Sequence, residues 1–194
     1  VFNWTATMWR GSMTFEVPML FSIGFIFLFV IGGFSGVICA IMPIDIQVQE
    51  TYYVIAHFHY VLVSGALFAI FGAVYYWLPK WCGRMYDEKL GKWHFWLSMF
   101  FFNLTFFVQH FLGLAGMPRR VPDYALQFAD FNMVSSIGGF GFGLTQLFFL
   151  YIVIKCIRSG EKAADKPWEG GTTLEWTLPS PAPYHSFETP PTIK

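Results

Sequence analysis

Polar and apolar positions in this chain separate into blocks rather than alternating. Four long runs contain no Asp, Glu, Lys or Arg: about residues 18–42, 51–78, 93–114 and 131–154. Each reaches the roughly 20 apolar residues that a helix needs to cross a bilayer. The pattern predicts an all-α membrane protein with four transmembrane helices. It divides the chain into a short segment 1–17, a transmembrane region 18–158 and an extended polar tail 159–194. One buried helix of a large soluble protein could read this way. Four such runs in 194 residues argue for a membrane.

Composition agrees. Charged residues make up 12% of the chain, against about 25% in soluble proteins, while 55% are hydrophobic and 21% aromatic. Such a chain can bury a core, so disorder is excluded. Twelve Lys and Arg balance twelve Asp and Glu, which leaves no basic field for a nucleic acid. The placement of the cations sets an orientation. Residues 1–17 with Arg10, the loop with Lys80, Arg84, Lys89 and Lys92, and the tail share one side, expected to be the cytoplasm or its equivalent. The loops 43–50 and 115–130 lie opposite, with Arg119 and Arg120 as their only cations. Trp and Tyr near the span ends match an interfacial belt. No charged stretch with a small-residue cleavage site opens the chain, so no signal peptide is expected. Cys39, Cys82 and Cys156 form no CxxC pair and read as free packing thiols.

The chemistry concentrates in the second span, at His57-Phe58-His59. Histidines at membrane depth are costly unless partnered. Residues two apart on a helix differ by about 200° in direction, so these two face nearly opposite ways. They are unsuited to one shared metal atom but suited to two cofactors, one on each side. Neutral imidazole is a common axial ligand of haem iron. Two hydrogen-bonded structural histidines explain the pair equally well. Arg119-Arg120 suits carboxylates such as haem propionates through paired charge-assisted bonds, or lipid headgroups. Asp45, Gln49 and Glu50 could bind a hard cation or be solvated loop residues. The glycines of the first and fourth spans permit close helix packing or cofactor clearance. His94, His110, Asn103, Thr105 and Gln109 read as structural or interhelix polar residues.

The run Glu50-Thr-Tyr-Tyr-Val-Ile-Ala-His57-Phe58-His59-Tyr60-Val61 closely resembles subunit I of haem-copper cytochrome c oxidases. So do residues 106–120, Phe-Phe-Val-Gln-His-Phe-Leu-Gly-Leu-Ala-Gly-Met-Pro-Arg-Arg. The tail motifs Thr173-Leu174-Glu175-Trp176 and Pro183-Tyr184-His185 are similar as well. The resemblance covers essentially the whole chain. It implies the last four spans of a twelve-helix subunit I bundle. By it, His57 is the axial ligand of the high-spin haem and His59 one axial ligand of the low-spin haem. Phe58 lies between the two, Arg119 and Arg120 bind propionates, and Asp45 is the acid near the high-spin haem propionate. Two departures stand out. Gln49-Glu50 replaces the family's His-Asp, leaving a candidate magnesium site, and Val108 stands where the family often has Pro. The copper-ligating histidines, the cross-linked Tyr and the second low-spin ligand have no equivalents here and are expected upstream.

The resemblance implies electron transfer through low-spin haem to a high-spin haem and copper centre. There O₂ is reduced to water, coupled to proton translocation. It implies two haems of the A type, copper held elsewhere, and a bacterial plasma membrane or mitochondrial inner membrane. The implied partners are the remainder of subunit I, subunits II and III, membrane lipid, and cytochrome c as donor, with no nucleic acid. The alternatives are a quinol-oxidising subunit I, a haem-binding membrane subunit without oxygen chemistry, and a transporter module. The second alternative normally spaces its histidines farther apart on one helix. The third leaves the arginine pair without a role.

Overall fold

A computed structural model describes residues 1–191; the last three positions of the tail lie outside the described residues. Helices α1 (Phe2–Met8) and α2 (Val17–Ala40) open the chain, and Pro18 sits in the first turn of α2. A break at Ile41 leads into the short α3 (Met42–Val48). The second span is one continuous rod, Tyr52–Cys82. It contains α4 (Tyr52–Leu62), a π-helical segment Val63–Phe68 and α5 (Ala69–Cys82). A two-residue strand β1 (Arg84–Met85) precedes α6 (Glu88–Leu114). A 3₁₀ turn, Leu126–Phe128, leads into α7 (Ala129–Ser159), and β2 (Glu161–Lys162) pairs antiparallel with β1. A 3₁₀ turn Leu174–Thr177 lies in the tail.

Among the described residues, four helices are long and apolar enough to cross a membrane. The last three extend past the charge-free runs, because caps, not charge, end a helix, while α2 stops at Ala40, two residues short of its run. Asp87 accepts hydrogen bonds from the Lys89 and Leu90 amides and starts α6 five residues before Trp93. Glu88 Oε1 accepts the Val17 N–H and so caps α2 from another helix. α5 runs through Pro79 to Gly83, whose φ of +69° closes the helix and suits a residue without a Cβ. The π-helical turn leaves no trace in hydrophobic periodicity, and Val108 does not interrupt α6.

The core is aromatic. Phe21 of α2 packs against Phe68, Phe71, Tyr75, His94 and Phe95, and Tyr60 and Phe102 continue the cluster. α6 and α7 close on glycine: a Cβ at Gly138 would stand 2.6 Å from the Thr105 amide nitrogen. Gly33 and Gly143 do not pack: nothing lies within 4 Å of a Cβ at either. Large apolar side chains point outward, with Phe140 80% and Phe34 69% exposed. That is the surface of a chain in contact with lipid or further helices.

The loops sort by side as their charges predict. β1 pairs with β2, and the Ala163 N–H donates to Gly83 O, so the Lys-rich loop and the tail meet at one end. Residues 43–50 and 115–120 meet at the other. The tail is extended but firmly docked. Lys80 is 4% exposed, and its Nζ donates to the carbonyls of Asp165, Leu178 and Pro179. Trp168 and Trp176 donate their indole N–H groups to the backbone oxygen and the hydroxyl of Tyr76.

Candidate functional site

Helix α4 starts where the Thr51 hydroxyl accepts the Tyr53 N–H. Tyr53, Ala56 and Tyr60 then form its buried face, which leaves His57 and His59 on different flanks. His57 turns to α2. Its Nδ1 lies 3.0 Å from Gly32 O and 3.1 Å from Ser35 Oγ. A carbonyl can only accept, so Nδ1 carries the proton and Nε2 keeps its lone pair. A Cβ at Gly36 would stand 2.7 Å from His57 Cε1, so this glycine makes room for the ring.

His59 turns to α6. Its Nδ1 lies 2.7 Å from Ile55 O, which assigns the same tautomer and again leaves Nε2 as the lone-pair nitrogen. The ring is stacked between Phe58, at 4.5 Å between centroids, and Phe106, at 4.2 Å. Both imidazoles therefore have the arrangement of a metal-ligating histidine, with one nitrogen bonded to a backbone carbonyl that fixes the ring. The opposite directions expected from a spacing of two appear as two different neighbouring helices.

The far-side loops are strapped together. Arg119 donates from Nε to Glu50 Oε2 at 2.9 Å and from NH2 to Oε1 at 2.6 Å. Arg120 lies 3.8 Å from the same carboxylate. The backbone adds an Arg119 N–H bond to Glu50 O, a Tyr52 N–H bond to Met117 O and a bridge between Thr51 and Pro118. Glu50 and Arg120 are non-glycine residues at positive φ, a strained geometry that clusters at binding sites. The hydrogen bond from Arg119, supported by the charges of both guanidiniums, holds the Glu50 carboxyl below the usual carboxylate range. The same bond raises Arg119.

Glu50, Arg119 and Arg120 thus come together, while Asp45 lies apart on α3 and forms no ion pair among the described residues. Gln49 is exposed beside Glu50. Among the described residues no three His, Cys, Asp or Glu side chains cluster as a metal site would require. Ser35 and Phe106, which fix the two imidazoles, carry no sequence signal: one is a serine 22 residues before His57, the other one of 24 phenylalanines. Two of the polar residues of α6 join helices, as Tyr60 donates to Asn103 and Gln109 donates to Ser135. The Thr105 hydroxyl instead bonds its own helix at Phe101 O. His94 is fully buried, with Nδ1 3.0 Å from the Tyr75 hydroxyl.

The family model for cytochrome c and quinol oxidase polypeptide I matches residues 1–141. A Nocardia farcinica protein named "Probable cytochrome c oxidase subunit 1-beta" is 49% identical over all of this chain and a third (33%) of its own length. Cytochrome c oxidase subunit 1 of Cereibacter sphaeroides is 48% identical over 97% of this chain and 34% of its own. The chain therefore spans about a third of the length of these curated relatives. A heme-copper terminal oxidase dimer solved by cryo-electron microscopy has a similar fold, with a TM-score of 0.66 at 21% identity over 75% of this chain and 27% of that one.

Proposed function

Because the chain belongs to the cytochrome c and quinol oxidase polypeptide I family, we propose that this multi-pass membrane chain forms the haem-ligating C-terminal part of the catalytic subunit of a cytochrome c oxidase. His57 is the axial ligand of the high-spin haem and His59 one axial ligand of the low-spin haem. Phe58 stands between them, Arg119 and Arg120 hold propionates, and Asp45 is the acid near the high-spin haem. The observation that carries this reading is the pair of imidazoles, each fixed through Nδ1 to a backbone carbonyl, with His57 against α2 and His59 against Phe106 of α6.

When bound, two haems of the A type, with a copper whose ligands lie outside this chain, supply electron transfer and the reduction of O₂ to water. The chain's own residues orient and shield. Gly32 O and Ser35 hold the His57 ring, and the space at Gly36 admits it. Phe58 and Phe106 fix the plane of His59 and keep water from its faces. Glu50 aims Arg119 while leaving NH1 of Arg119, and the exposed Arg120, to receive carboxylates. The Glu50 carboxylate is committed to Arg119. A magnesium ion at Gln49 and Glu50 would therefore need further ligands from outside this chain.

Proton translocation, the donor cytochrome c, subunits II and III and the remainder of subunit I complete the proposal. Its test is O₂ uptake by the purified full-length complex. Uptake with reduced cytochrome c is the expected result. Uptake from a quinol alone would move the chain to the quinol-oxidising branch, and uptake from neither would overturn the assignment.

A further inference from the structure

We propose that Cys82 and Cys156 form a dithiol redox site joining the Lys-rich ends of α5 and α7, which a hydroperoxide converts to a disulfide. This inference is independent of the oxidase reading. The two residues lie 74 apart in sequence, yet their sulfurs are 3.9 Å apart. Cys82 is the last residue of α5, and Cys156 lies in the last turn of α7. Both sulfurs lie within reach of one acceptor, the Arg84 carbonyl, at 3.5 and 3.4 Å, and the single Cys82 proton has the Leu78 carbonyl, at 3.1 Å, as its nearer alternative. The surrounding backbone is tied down. β1 pairs with β2, the Gly160 N–H donates to Cys156 O, and Arg84 NH1 donates to Gly160 O.

A disulfide needs sulfurs about 2.0 Å apart, so each must move by about 1 Å, which a side-chain rotation supplies. Of the two thiols, Cys82 is the one open to water. Cys82 is half-buried. A cavity of about 360 Å³, bordered by Asp87, Lys155, Ser159 and Glu161, has Cys156 in its wall. Cys156 is 2% exposed and belongs to the apolar core cluster, so Cys82 is the thiol that meets the oxidant and Cys156 the one that closes the disulfide.

The chemistry balances with hydrogen peroxide as oxidant. The Cys82 thiolate attacks one peroxide oxygen and the O–O bond breaks. The sulfur becomes a sulfenic acid, and the departing hydroxide takes up the thiol proton as water. The Cys156 sulfur then displaces hydroxide from the sulfenic sulfur, and its own proton leaves with that hydroxide as a second water. Two thiols lose two electrons, and one peroxide becomes two waters. The product is a covalent staple beneath the root of the tail, beside the β1–β2 pair.

The experiment treats the full-length subunit, in its complex in membrane vesicles, with hydrogen peroxide. Free thiols are then alkylated under denaturing conditions and mapped by peptide. Of this chain's three cysteines, Cys82 and Cys156 lose label together, Cys39 keeps it, and dithiothreitol restores both. A linked peptide pair containing Cys82 and Cys156 is recovered. In Cys156→Ser, Cys82 stops at the sulfenic acid and reacts with dimedone. Retention of both labels in the wild-type protein would overturn the proposal. So would oxidation of Cys82 to the sulfinic acid with Cys156 still free. The wild-type map does not depend on how any variant folds.

Discussion

Glu50 and Arg119 form a two-bond ion pair across 69 residues of sequence, and it joins the loop before α4 to the loop after α6. Since α4 begins at Tyr52, this strap fixes the helix that carries both candidate haem ligands. Replacing Glu50 with Gln removes the charge and half of the fork. Hydrogen exchange at the Tyr52 and Arg119 amides, both bonded across the strap, should quicken in Glu50→Gln relative to the wild-type complex. Unchanged exchange would show that the backbone bonds alone hold the loops.

The same pair sets a pH dependence. Glu50 is held below its ordinary value of 4.5, chiefly by the hydrogen bond from Arg119. A depressed carboxyl contributes its stability above that ordinary value and loses it as pH falls through the lower folded value. Amide exchange across the strap, corrected for intrinsic rates, should therefore stay constant from neutral pH down to about 4.5. It should rise below that, and Glu50→Gln should abolish the dependence.

Gly36 and Gly33 make a matched pair. A methyl group at Gly36 meets the His57 ring at 2.7 Å, while one at Gly33 meets nothing within 4 Å. Gly36→Ala should strain the site by about 1–3 kcal/mol and alter the optical spectrum of the haem that His57 is proposed to hold. Gly33→Ala should leave that spectrum unchanged. Equal spectra in the two variants would contradict the placement of His57 against α2.

Lys80 anchors the tail through three carbonyl acceptors beneath the Trp176 ring. Lys80→Met leaves those acceptors without their donor and should weaken docking by about 2 kcal/mol or more. Limited proteolysis should then cut beyond Ser159 at least tenfold faster than in the wild-type complex. An unchanged cleavage rate would assign the docking to Trp168 and Trp176 instead.

The features legible in the sequence are those set by local spacing. The absence of charge over each span, and the two-residue step between His57 and His59, depend only on helix geometry and bilayer thickness. The charge asymmetry of the loops likewise foretold which of them meet. What escaped depends on contacts between distant segments. Spacing does not show the ion pair of Glu50, whose partner is 69 residues away, or the burial of Lys80 under the tail. Cys82 and Cys156 read as separate packing thiols because no CxxC spacing joins them. The end of α5 and the start of α6 lie beyond the charge-free runs because Gly83 and Asp87 set them by capping.

The central claim is that His57 and His59, two residues apart, serve two different haems on opposite flanks of α4. Optical spectra of the reduced full-length complex, with and without carbon monoxide, test it in His57→Asn and His59→Asn. The account predicts a double dissociation. His57→Asn should disturb the high-spin haem and its carbon monoxide complex while the low-spin band persists. His59→Asn should remove the low-spin band while carbon monoxide still binds. Loss of the same band in both variants, or of neither, would contradict it.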